Sequence, residues 1–214
     1  LVALAPFGVV HRTHVESALS GIGAAVDPSE EVVYRRTFEV PEGWDGDRVL
    51  MQFGAVDWRA TVRVNGRRVG QHEGGYDPFA FDVTDALNEE GPQTVTVRVW
   101  DPTDWGPYPR GKQVLDPGGI WYDAVTGIWQ TVWLEPVSSE ARVRDLSIRP
   151  NLEEESVRLT VEAPAPEGTT ARARIFGEDG EQISEAAGSV EEPLRIPVPD
   201  PRPWSPDDPY LYDL

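Results

Sequence analysis

One stretch gathers most of the side chains that could do chemistry. In "DPTDWGPYPRGKQVLDPGGIWYDAVTGIWQ", residues 101–130, Trp105, Tyr108, Trp121 and Tyr122 are mixed with Asp104, Arg110, Lys112 and Asp123. A connection of this length in a compact domain is usually functional. The chemistry it suits is sugar recognition, because CH faces stack on aromatic rings and hydroxyls need charged or amide partners. The bland alternative is a loop packed on its own domain. A second stretch, "VRVNGRRVGQHEGGYDPFAFDVTD", begins as a hairpin and continues into Gly74-Gly75-Tyr76-Asp77-Pro78-Phe79. His72, Tyr76 and Asp77 are the secondary candidates there, and the question is whether the segment binds something or only turns a corner.

Other chemistries are disfavoured. The three histidines are scattered and there are no cysteines, so no metal centre, disulfide or cofactor is expected. Acidic pairs such as Glu153/Glu155 and Glu191/Glu192 arise by chance among 37 acidic residues and read as solvated charge. The formal charge of −18 argues against nucleic acid and anionic membranes, since no basic stripe exists to displace counterions. Lys112 is the sole lysine among 19 basic residues, which reads as a compositional bias. No apolar run approaches the ~18–20 residues of a membrane span. "LVALAPFGVV" lacks a basic start and carries Pro6, so it reads as a strand rather than a leader, and a cytoplasmic location is expected.

The elements that must position these residues are strands. Twenty Gly and 20 Pro favour turns over long helices, and 39% hydrophobic content permits a core. Period-two alternation puts Tyr34, Arg36, Phe38 and Val40 on one face, and groups Val49, Met51 and Phe53, and Val95, Val97 and Val99. Asn65-Gly66 predicts a type I′ hairpin because both residues tolerate positive φ. "IWQTVWLEPV" reads as one strand, and "DVTDALN" as a single helical turn capped by Thr84 or Asp85. After Val137 aromatics nearly vanish until Trp204, and short strands follow at regular spacing, with a hairpin at Asp179-Gly180. The fold class is all-β: a jelly-roll sandwich over 1–137 and an immunoglobulin-like sandwich over 138–214.

"FGAVDWRATVRVNGRRVGQHEGGYDPFAFDVTDAL" resembles the sugar-binding sandwich at the front of family 2 glycoside hydrolases, the relatives of β-galactosidase and β-glucuronidase. "VESALSGIG", "YRRTFEVP", "DPTD", "PRGKQ" and above all "TGIWQTVWLEPV" follow in the family's order, and "PWSPDDPYLYDL" resembles the end of the next, immunoglobulin-like domain. The resemblance implies that the glycine corner is mainly architectural, with Tyr76, Phe79 and Phe81 plugging the sheet. It implies a structural hydrogen bond for His72 and packing for Asp57 and Trp58. It also implies that the 101–130 loop faces a catalytic barrel or its substrate.

The two catalytic glutamates of such enzymes sit on a (β/α)₈ barrel, ~5–5.5 Å apart in retaining members. No segment here has that pattern, so the 214-residue chain is expected to be inactive alone and to be a piece of something longer. Its partner would be a carbohydrate held with the barrel, and contacts between copies would be a further role of the sandwiches. The family's Pro-Phe-x-x-Glu-Ser spacing is stretched here between Phe7 and Glu16, around His11 and His14. The immunoglobulin-like domain is expected to lack its last strands and to leave an open edge. Where galactosidases and glucuronidases place an aspartate six residues before the glycine of Gly-Ile-aromatic, this chain has Trp121, with Asp123 two places on. A stacking platform there would replace a hydroxyl acceptor, so neither specificity carries over. The rival readings are a free-standing carbohydrate-binding module or adhesin and a structural spacer.

Overall fold

The computed structural model describes residues 2–3 and 8–12 as backbone and residues 26–44 and 48–214 in full. They belong to two compact units, Leu1–Val137 and Ser138–Leu214. The segment matching "VESALSGIG", the Phe7 and Glu16 ends of the stretched spacing, and His14 lie outside the described residues.

The first unit is a sandwich of two antiparallel sheets. One sheet runs in the order Val2–Ala3, Val132–Val137, Arg48–Phe53, Phe79–Asp82. The other has five strands, Gly8–Arg12, Val32–Phe38, Gln93–Trp100, Arg59–Val64 and Arg67–Glu73. Alternation decides the inner faces: Val49, Met51 and Phe53 from one sheet meet Val62, Val64, Val95, Val97 and Val99 from the other, all buried. Phe79 stacks on Phe53 at 4.7 Å between ring centres and Phe81 joins the core edge. Asn65 and Gly66 take φ of +50° and +82°, as the hairpin turn requires. The Asn65 side chain then continues the ladder, donating to the Ala86 carbonyl at 2.9 Å and accepting from the Thr94 amide at 2.8 Å.

The single turn at Thr84–Ala86 is present as a 3-10 helix, but neither Thr84 nor Asp85 caps it. Asp82 holds it instead, accepting from the Thr84 amide at 3.1 Å and hydroxyl at 2.6 Å, while Thr84 Oγ1 accepts from the Val49 amide at 2.9 Å. "IWQTVWLEPV" is not one strand either. Gly127–Ile128 pairs with Val56–Asp57, and Val132–Val137 pairs with Arg48–Phe53. In the break between them the Trp129 and Gln130 amides both point to the Ala55 carbonyl, at 3.4 Å each. Two donors at one acceptor make a bulge, which turns Trp129 outward.

The second unit is an immunoglobulin-like sandwich. Asp145–Asn151, Ser156–Glu162 and Leu194–Pro197 form one sheet, and Thr170–Phe176 pairs with Gln182–Ser189 in the other. Its core is Leu159, Val161, Ala173, Ile175, Leu194, Ile196 and Val198. Glu153, Glu155, Glu191 and Glu192 are all exposed, as solvated charges are. Among the described residues no helix is long and apolar enough to cross a membrane.

Candidate functional site

The long loop begins at Asp101, the buried residue that ends the Gln93–Trp100 strand. Its carboxylate accepts from the Thr103 amide at 2.7 Å and from the Thr126 hydroxyl at 2.8 Å, so one side chain pins both ends of a segment of more than twenty residues. Within the loop, Gln113–Val114 pairs in parallel with Tyr122–Asp123, and the Tyr122 amide donates to the Lys112 carbonyl at 2.8 Å. Asp104 is a further internal anchor, accepting from the Leu115 amide at 3.2 Å. Gly127 then returns the chain to the sheet with φ +127°, and a Cβ there would stand 1.9 Å from the Tyr34 hydroxyl. Only glycine fits. The Tyr34 hydroxyl is bonded by the Ile128 backbone, and burial outweighs that bond to raise its pKa above the usual value.

The glycine corner is joined to this loop. The Trp129 indole N–H donates to the Gly75 carbonyl at 2.7 Å, and its ring meets Tyr76 edge-on at 6.1 Å. A Cβ on Gly111 would lie 3.4 Å from the Tyr76 hydroxyl. Tyr76 therefore does not plug the sheet as the sequence suggested; it is 48% exposed, standing between the corner and the loop, while Phe79 and Phe81 do the plugging. The corner is both architectural and part of the loop's surface.

The remaining candidates divide. Trp121 and Tyr122 are exposed, as is Trp105, and neither Trp105 nor Trp121 makes a ring contact among the described residues. Lys112 lies over the Tyr122 ring, its Nζ 5.9 Å from the centre. Asp77 and Asp123 face solvent. Arg110 is half-buried, donates weakly to the Gly106 carbonyl at 3.4 Å and keeps Nε buried without a partner among the described residues. Among the described residues His72 does not find the hydrogen bond expected of it: Nε2 is buried and unpartnered, and the ring stacks on Phe79 at 4.1 Å. No three His, Asp or Glu side chains among the described residues gather as a metal site.

Sequence reasoning left out Asp101, Gln113, Thr126 and Trp129, which tie the surface together, and read Asp57 only as packing. Asp57 is half-buried; burial, then the charge of Asp101, push its carboxyl up to about 6 against a bond from Gln113. Asp101-Pro102-Thr103 carried a readable Asx-turn pattern. The partnerships of Asp57 with Gln113 and of Trp129 with Gly75 join positions more than fifty residues apart, and no local pattern reports them.

A jelly roll followed by an immunoglobulin-like sandwich is an arrangement this chain shares with glycosidases. The chain belongs to family 2 of the glycosyl hydrolases. The model of that family's sugar binding domain matches residues 21–136, and a second model, glycosyl hydrolases family 2, matches 141–214. The chain is 31% identical to a β-glucuronidase of Paenibacillus borealis over 198 residues, covering 86% of this chain and 32% of that protein. It is 26% identical to a β-galactosidase of Thermoanaerobacter pseudethanolicus, covering 85% and 25% respectively. A solved β-glucuronidase from an uncultured Clostridium superimposes with a TM-score of 0.70 at 27% identity, over 85% of this chain and 32% of that one. The Ruminococcus gnavus β-glucuronidase in complex with D-glucuronic acid shares the fold, with a TM-score of 0.68 at 23% identity. The chain thus spans a quarter to a third of the length of these relatives.

Proposed function

We propose that the chain is the non-catalytic front of a family 2 glycoside hydrolase and shapes one wall of a pocket in which O-glycosyl bonds are cleaved. The reacting carboxylates would belong to the part of the enzyme that matches the remaining length of its relatives. The wall is the surface shared by the corner and the long loop, with Trp121, Tyr122, Tyr76 and Trp129 offering ring faces and Lys112, Arg110 and Asp123 offering polar partners. One observation carries the reading: Trp129 binds the return of the long loop to the glycine corner, leaving its ring and that of Tyr76 exposed side by side. Exposed aromatics with adjacent charge on a rigid sandwich suit sugar rings better than they suit any anionic polymer, given the charge of −18.

The test is kinetic. In the full-length enzyme, Trp121→Ala is expected to raise KM for the preferred glycoside several-fold, up to about tenfold, with a smaller effect on kcat. A structural spacer would leave both unchanged. The 214-residue chain by itself is expected to show no glycoside turnover, and measurable sugar affinity in it would favour a free-standing binding module instead.

A further inference from the structure

Asp57 stands where three segments meet. The corner presses on it from one side, since a Cβ at Gly75 would lie 2.6 Å from its Oδ1. Gly127 pairs with it across the ladder. The start of the long loop closes the third side: Asp101, Thr103, Tyr108, Arg110 and Gln113 line a cavity of about 10 Å³ with it, room for one water.

This cavity is poorly supplied for two negative charges. Asp101 is held in place by Thr103 and Thr126, so it cannot swing away from Asp57. Among the described residues, Thr103 (4% exposed) has an unpartnered Oγ1, and Arg110 has an unpartnered Nε and forms no ion pair with either carboxylate. Two facing carboxylates in such a space are relieved either by a proton or by separation.

We propose that Asp57 is a proton-operated clasp for the long loop: protonated, it lets the 104–113 stretch close over the strand end, and ionised, it drives that stretch away from the fixed Asp101. The position of Gln113 transmits the change. Its side chain bonds Asp57 and its Oε1 accepts from the Val125 amide at 2.6 Å, so loosening at Asp57 reaches the far arm of the loop.

The titratable or charged groups that line the cavity with Asp57 are Asp101, Tyr108 and Arg110 from the loop; the adjoining elements carry His72 and Asp77 near Gly74 in the corner, the Arg59–Glu73 pair in the hairpin, and Tyr34 against Gly127. Closure raises the carboxyl's affinity for a proton to a midpoint of about 6, so by linkage a proton favours closure. The loop is tighter below that pH and looser above it.

The bearing of this clasp on a sugar pocket rests on the function proposed above, but its readout does not. Amide hydrogen exchange on the 214-residue chain, without sugar, is expected to show the protection factor of Val125 falling about tenfold between pH 5 and 7.5, after allowance for solvent screening at a partly exposed site. Asp57→Asn should hold that protection high and flat, and Asp101→Asn should move the midpoint to lower pH. A pH-independent Val125 in the native chain, or an unchanged response in Asp57→Asn, overturns the proposal. If Asp57→Asn fails to fold, Gln113→Ala replaces it. There Val125 should be weakly protected at both pH values while the Asp57 carboxyl carbon still titrates; a surviving Val125 response would refute the clasp.

Discussion

The five-stranded sheet and the 101–130 loop are held by different kinds of force. The sheet is held by many small contributions: Val62, Val64, Val95, Val97 and Val99 are each fully buried, and neighbouring ladders duplicate one another's work. The loop is held at a few polar points, Asp101 at its base, Gln113 in its middle and Trp129 at its return. Damage to the first should be paid in global stability, damage to the second in the local order of an exposed surface. A fold built this way can change what its loop presents without disturbing its core.

The sharpest way to break the distinction is to strike the core. Phe53 is fully buried and stacked on Phe79, so Phe53→Ala should cost ~3–5 kcal/mol in urea unfolding of the chain. Next is Gly127→Ala, at the junction of the two regions. It places a methyl group against the Tyr34 hydroxyl and an L side chain at φ +127°, and overpacking and strain together should cost roughly 2–4 kcal/mol. Its effect should appear both in unfolding and in loop order, which neither region alone would produce.

The same contrast explains what the sequence could and could not reveal. Val95, Val97 and Val99 announce their face by period two, and Asn65-Gly66 announces its turn, because both signals are local. Trp129 looked like one more alternating strand residue, since the bulge that turns it outward depends on a carbonyl at Ala55. The family resemblance grouped Tyr76 with the plugs Phe79 and Phe81, and nothing local showed that it would stand exposed beside the loop. Aromatic content marked the loop as a candidate surface, but its polar anchors depend on which distant residues the fold brings together.

Asp101→Ala is the cleaner test of the loop. It removes the acceptor for the Thr103 amide and the Thr126 hydroxyl, a loss of ~1–3 kcal/mol. Limited proteolysis should then cut between 104 and 126 much faster than in the native chain, with unfolding shifted less than by Phe53→Ala. Equal losses in both measurements would mean that loop and sheet are one cooperative unit.

The smallest effect separates the two regions by the sign of their pH dependence. Asp82 belongs to the sheet framework. Burial raises its carboxyl, but the Thr84 hydroxyl and amide and the Arg48 guanidinium outweigh that and hold it below its ordinary 3.8. Its contribution is therefore present above pH 3.8 and lost as pH falls through the lowered value. Asp57 belongs to the loop junction, and its carboxyl is raised to about 6. Its contribution is fully present below 3.8 and lost as pH rises through 6. Urea midpoints across pH 3–7 should thus fall toward both ends. Asp57→Asn should flatten the slope between about 4 and 6 and leave the acid limb, whereas Asp82→Asn should flatten only the acid limb. Both groups are partly solvated, so each change is a modest shift in midpoint. A slope between 4 and 6 that survives Asp57→Asn would place the responsible proton elsewhere and dissolve the contrast between the sheet and its loop.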